Sequence, residues 1–200
     1  MPSVMIDFII SLDGYASAEG WPGFWGLEGP EYLAWLDESA GHEHTVLMGA
    51  RTYRLMSGFA AEMTDDSGFS ALTSMPKVVF SSTMEAPLSW ANTELVDRDP
   101  VEAVQAMKRD ASRPMRTLGS LTLCRSLLAA GLVDRFRVVL FPVITGATGR
   151  ERIFDGYPDV ALELVERRTF DGRLQLLEYV PTVLDAPPGV RDQAGDEKRG

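Results

Sequence analysis

The chain has 200 residues, enough for one domain with a full hydrophobic core, and 45% of them are apolar. A formal net charge of −10 opposes a nucleic-acid backbone or an anionic membrane as partner, yet leaves room for a small anion held by a few local arginines. The lone cysteine, Cys124, excludes an intrachain disulfide framework, and no apolar run approaches a membrane span, so a cytoplasmic protein is expected.

The first residues, Met1 to Asp7, lack the basic start of a signal peptide, and residues 4–11 read as a strand. Asp13 and Gly14 follow it, placing a carboxylate where it can anchor a substrate or close a turn. Trp21, Phe24 and Trp25 lie in a Gly/Pro-rich loop, suited to stacking on a planar ring or to capping the core. A helix is expected over 30–40, opening at Pro30 and turning Leu33, Leu36 and Ala40 to one side. His42 and His44 after it read as an exposed turn, and no metal site is expected.

Residues 45–49 are a short apolar strand reaching Gly49, followed by helix-compatible sequence from Ala50, Arg51 and Thr52. A strand that ends at glycine lets the backbone approach a ligand closely, and the helix that follows aims free N–H groups and a favourable dipole at an anion. Two further strand ends, at Phe80-Ser81-Ser82 and Leu118-Gly119-Ser120, have similar anion-friendly chemistry. Between the first two, residues 57–74 are too long for a plain connector and read as a substrate lid or partner contact.

Strands are expected at 77–81, 93–96 and 115–119, with a helix over 100–110 entered through Asp99-Pro100. Another helix over 121–130 takes Ser120 as its N-cap and stops at Gly131, with Cys124 on its buried stripe. Strands at 135–143, 161–168 and 173–180 follow, the last two joined by the turn signal Phe170-Asp171-Gly172. Residues 185–200 are polar and read as a disordered tail behind a single domain over 1–184. The expected architecture is α/β: a three-layer sandwich with a mixed, mostly parallel eight-stranded sheet, helices on both faces and a C-terminal antiparallel hairpin.

Four blocks in this order resemble a known family: Ser11 to Gly14, Leu47 to Tyr53, Lys77 to Thr83, and the region from Leu118-Gly119-Ser120 to Gly156. They resemble the dihydrofolate reductase-like superfamily, and more closely the C-terminal reductase domain of bifunctional riboflavin-biosynthesis deaminase-reductases and their stand-alone relatives, over about residues 3–182. The resemblance implies an NADPH-dependent reductase acting on a small heterocycle such as a ribosylated aminopyrimidine, often as a homodimer, with residues 136–144 as an apolar candidate interface. It places Gly49, Ala50, Arg51 and Thr52 on the cofactor phosphates and Ser81 and Ser82 on the adenosine 2′-phosphate, with Arg51 or Arg98 as countercharge. Gly119, Ser120, Leu121 and Thr122 match the pyrophosphate loop, which keeps one glycine of its usual cluster.

On the substrate side the resemblance implies roles for Asp13, Tyr32, Trp21, Trp25 and Glu31. Tyr32 stands where dihydrofolate reductases carry the acid that grips the pteridine, and a phenol cannot form that bidentate pair. A pteridine reductase with a displaced acid, Glu31 or Asp37, and a non-catalytic binding protein are the alternatives.

Overall fold

The period-two geometry of β1 (Val4–Ser11) puts Val4, Ile6, Phe8 and Ile10 on one buried face and Met5, Asp7 and Ile9 on the other. A strand buried on both faces belongs in the middle of a sheet, and β1 lies there. The computed structural model describes residues 1–20, 25–40, 43–110 and 112–188. Trp21, Phe24, His42 and the tail beyond residue 188 lie outside the described residues.

The remaining elements are β2 (Tyr15–Ala18), α1 (Pro30–Ala40), β3 (Thr45–Gly49), α2 (Ala50–Glu62), α3 (Ser67–Ser74), β4 (Lys77–Phe80), β5 (Thr93–Val96), α4 (Pro100–Asp110), β6 (Met115–Thr117), α5 (Leu121–Ala129), β7 (Arg135–Phe141), β8 (Gly149–Arg152), β9 (Val160–Phe170) and β10 (Leu174–Val183). Eight strands form one sheet in the order β5-β4-β3-β6-β1-β7-β10-β9, parallel from β5 to β7 and antiparallel across β10 and β9. The sheet class and hairpin match the sequence expectation. Asp171 and Gly172 carry φ of 52° and 65°, the pair of left-handed residues a two-residue hairpin turn requires.

Helices α4 and α5 cover one face through Ala103, Val104, Leu123, Cys124, Leu127 and Leu128. Helix α1 covers the other face over β7 and β10, and α2 with α3 covers it over β3 and β4. Cys124 is core, as expected, and burial pushes its thiol up to about 12.

Several expectations are corrected. Residues 57–74 are largely helix and not a loop: α2 runs to Glu62, and α3 starts where the Asp66 carboxylate accepts the Phe69 N–H at 2.9 Å. Leu33 faces solvent at 45% exposure, while Tyr32 takes the inward position of α1. His44 is buried, not exposed. Most of the run expected as an interface, 136–144, is β7, whose Phe136, Val138, Val139 and Phe141 are spent in this chain's own core, while Ile144 beyond it is exposed. Exposed apolar side chains on the hairpin include Leu162, Leu164 and Val165.

Helix α1 is capped by a distant residue. The Asp171 carboxylate accepts the N–H groups of Glu31 (3.0 Å) and Tyr32 (3.2 Å), while the Glu31 carboxylate accepts the Asp171 N–H at 2.5 Å. The pair works as a capping box shared between helix and hairpin turn. A Cβ added at Gly29 would overlap the Asp171 carboxylate. Asp171→Ala is expected to remove about 1–2 kcal/mol, read as a lower urea midpoint at unchanged slope. Gly29→Ala is expected to lower the midpoint in the same way by displacing the same carboxylate.

Candidate active site

Strands β3 and β6 are hydrogen-bonded neighbours, so the helices that follow them, α2 and α5, start side by side at the carboxyl edge of the sheet. Neither start is capped by its own N-cap side chain. Gly119 and Ser120 both take left-handed backbone, with φ of 54° and 66°. That conformation turns the Ser120 hydroxyl away from α5, the helix it was expected to cap. The Ser120 Oγ accepts the Gly49 N–H at 2.8 Å and donates to Thr52 Oγ1 at 2.8 Å. One serine therefore ties the two helix starts together and leaves the first N–H groups of α5 open. Gly119 faces the same junction: a Cβ there would stand 3.3 Å from Thr52 Oγ1. Two adjoining helix N-termini offer N–H groups that could hold an anionic group such as a diphosphate. Gly49, Thr52, Gly119 and Ser120 meet there, and Ala50, Leu121 and Thr122 are among the first residues of the two helices.

The next two strand ends continue this edge. The Ser81 N–H donates to the Val96 carbonyl at 3.0 Å, which sets the end of β4 against the end of β5 and brings Ser81, Ser82 and Arg98 to one corner. The Ser81 Oγ accepts the N–H groups of Thr83 and Met84 at 3.2 Å each, while Ser82 and Arg98 are exposed. Arg51 projects from the first turn of α2 and pairs with Glu151 of β8 at 2.8 Å. Its side chain is 88% exposed, so this pair is worth at most about 1 kcal/mol and can yield to a phosphate.

Asp13 stands in the turn after β1. Its carboxylate accepts the Ser11 hydroxyl at 2.6 Å and the Thr145 N–H at 3.2 Å. The Ser11 bond, with the Thr145 amide behind it, outweighs partial desolvation and holds the Asp13 carboxyl below the usual range. This links the turn after β1 to the loop after β7, and the short antiparallel pair of β2 with β8 continues the link. A Cβ on Gly149 would run into the Tyr15 ring, so the two strands pack closely there.

The candidate substrate residues separate. Tyr32 is wholly buried, its ring against Trp35, Phe141 and Phe170 at centroid distances of 5.8, 5.6 and 5.7 Å. Burial, reinforced by the Asp7 carboxylate, raises its hydroxyl well above the ordinary tyrosine range. Such a phenol is a poor acid, and packing accounts for the residue. Glu31 is engaged with the Asp171 N–H. Trp25 does reach the sheet's carboxyl edge, with its ring 5.4 Å from Phe141, the last residue of β7.

Sequence reading missed Ser11 and Thr145 as partners of Asp13. Thr145 stands just before Gly146 in the loop that follows β7.

Comparison with known proteins is consistent with this geometry. The uncharacterized protein YyaP of Bacillus subtilis (strain 168) is 23% identical over 185 residues, covering 88% of this chain and 93% of that protein. The crystal structure of a Shewanella sp. PV-4 protein assigned to riboflavin biosynthesis superposes with a TM-score of 0.70 at 19% identity, covering 90% of this chain and 99% of the other. The riboflavin biosynthesis reductase Rib7 of Saccharomyces cerevisiae gives 0.59 at 15% identity, with 90% of each chain covered. Residues 2–176 match the RibD C-terminal domain. The eight-stranded sheet, the two open helix starts and this match together mean that the chain belongs to the RibD C-terminal domain family.

Proposed function

We propose that this protein is an NADPH-dependent reductase of the riboflavin-pathway type, transferring hydride to a small planar nitrogen heterocycle such as a phosphoribosylated aminouracil. The observation that carries the reading is the meeting of two uncapped helix N-termini, at Gly49–Thr52 and Gly119–Thr122, on neighbouring strand ends. A dinucleotide brings a diphosphate that needs such a cradle. The family relationship supports the same reading, since Rib7 is a reductase by name.

In this reading the first N–H groups of α2 and α5 hold the diphosphate, and Thr52 and Ser120 fix the spacing between them. Ser81, Ser82 and Arg98 receive the adenosine 2′-phosphate at the β4–β5 corner, a charge-assisted contact that NADH cannot offer. Asp13 keeps the β1 and β7 loops in register beside the reacting ring. Trp25, at the carboxyl end of β7, offers an indole on which a planar substrate can stack. The nicotinamide, when bound, supplies the hydride, and the protein supplies alignment. The pteridine alternative loses ground at Glu31, whose carboxylate already serves the α1–hairpin cap.

The test is thermal stability with saturating NADPH and, separately, NADH. Ligand at about 100 times its dissociation constant adds roughly 2.7 kcal/mol, a rise on the order of 5–10 °C at this size. The expected result is that rise with NADPH and a much smaller one with NADH. Arg98→Ala should bring the two shifts together. Equal shifts in the parent protein would remove the 2′-phosphate site, and no shift with either would remove the reductase reading.

A further inference from the structure

We propose that Glu151 is a displaceable counterion: it holds the Arg51 guanidinium, yields it to an arriving phosphate group, and so sets how tightly the start of α2 keeps an anion. The inference rests on the proposed cofactor site for the place at which the anion binds. Glu151 Oε1 lies 2.8 Å from Arg51 Nη1, joining β8 to the first turn of α2. Both side chains are open to solvent, Arg51 the more so. A pair that open is weak, so a group bearing two or more negative charges can take the guanidinium from a single carboxylate. When the anion leaves, the same carboxylate reclaims Arg51 and hastens the departure.

Glu151 is no loose surface side chain. Its backbone takes φ of 60°, a left-handed conformation that disfavours a residue with a Cβ and persists where the surroundings impose it. The segment around it is fixed on both sides. Before it, Gly149 packs so closely on the Tyr15 ring that a Cβ would overlap it. After it, the Ile153 N–H donates to the Gly14 carbonyl at 2.9 Å, and the Ile153 side chain is wholly buried. A Cβ on Gly156 would stand 3.5 Å from the Arg125 side chain of α5. One segment, 149–156, therefore touches α2, α5 and the turn that carries Asp13, and Glu151 supplies the contact with α2. The other arginines of β8 have acids of their own: Arg150 pairs with Glu19 at 3.4 Å and Arg152 with Asp155 at 4.0 Å. In a chain of net charge −10, positive charge for an anion has to be released from such pairs. Of these three arginines, Arg51 is the one in the first turn of a helix, where free N–H groups and the helix dipole add to its pull.

The experiment is calorimetric titration of inorganic pyrophosphate, and separately of NADPH, into the parent protein and its variants at low ionic strength. Glu151→Gln is expected to bind each ligand that the parent binds about threefold more tightly, a gain that shrinks as salt is raised. Glu19→Gln removes the same charge beside β8 but leaves Arg51 paired, and its affinities should match the parent's. Arg51→Ala should weaken binding, and adding Glu151→Gln to it should bring no gain, since the carboxylate acts through the guanidinium. An unchanged or weaker affinity in Glu151→Gln, an equal gain in Glu19→Gln, or the same gain in the absence of Arg51 overturns the inference. A parent protein that binds pyrophosphate but not NADPH loses the reductase reading, while the pyrophosphate titrations still decide Glu151. Binding of neither ligand removes both.

Discussion

Asp7→Asn is expected to cost about 3–5 kcal/mol, a fall in melting temperature on the order of 10 °C. Asp7 sits at the centre of a buried charged row crossing four strands beneath α1. Its carboxylate accepts two bonds from Arg137 of β7, at 3.0 and 2.9 Å, and another from Arg116 of β6. Arg137 reaches on to Glu178 of β10 at 3.9 Å, which also pairs with Arg135 at 3.3 Å. The guanidinium groups are spoken for by the helix above: Arg137 lies 4.9 Å over the Trp35 ring, and Arg116 donates to Ser39 Oγ at 3.0 Å. An amide in place of the carboxylate keeps the shape but leaves two buried cations facing one remaining carboxylate. Removing one partner of a buried pair is costly because the other stays behind uncompensated. Arg137→Met should therefore cost less in the Asp7→Asn background than alone, a coupling that additive behaviour would refute.

The same row sets an acid limit. Burial pushes the Asp7 carboxyl up, but the two arginines outweigh it and hold it at about 2, against an ordinary 3.8. A depressed carboxyl stabilises the fold above its unfolded pKa, and that stability is lost as pH falls through the folded value. Asp7 alone should therefore contribute about 2–3 kcal/mol that disappears between pH 4 and pH 2. Urea midpoints of the Asp7→Asn variant should lack that share of the decline. An identical acid profile in the two proteins would mean that the row is not what holds β1 under α1.

Local chemistry announced most of this fold. Helix α1 starts and stops at the expected residues because Pro30 suits a first helical position, and α4 does so because Asp99 Oδ1 accepts the Val101 and Glu102 N–H groups at 2.9 and 3.1 Å. The Asp171-Gly172 turn was equally plain. What stayed hidden depends on distant partners. Strands β2 and β8 are four residues each, with little apolar pattern, and exist because Tyr15 meets Arg152 from the far end of the chain. Leu33 and Tyr32 exchanged places because Asp171 caps α1 and fixes its rotation, which no helical periodicity within residues 30–40 encodes. At the site, the glycine-ended strands were legible because close backbone approach demands them. The link from Asp13 to Thr145 was not, since the two residues meet only in the finished fold.

Gly119→Val is the variant expected to affect the proposed cofactor site most. Position 119 has φ of 54°, where a β-branched side chain is strained by about 1–2 kcal/mol. An added Cβ would stand 3.3 Å from Thr52 Oγ1, closer than comfortable contact, and the two methyl groups beyond it would fill the gap between the starts of α2 and α5. Thr52 is also the group to which Ser120 Oγ donates, so displacing it loosens the serine that bridges the two helices. The free protein should lose a few degrees of melting temperature, while NADPH affinity should fall on the order of a hundredfold, about 2.7 kcal/mol. Ser120→Ala separates the two contributions. It deletes the bridging hydroxyl without filling the cleft, and it frees the Gly49 N–H, so its loss of affinity should be far smaller than that of Gly119→Val. If both variants bind NADPH like the parent protein, the two helix N-termini do not hold the diphosphate, and the cofactor must be sought at another edge of the sheet.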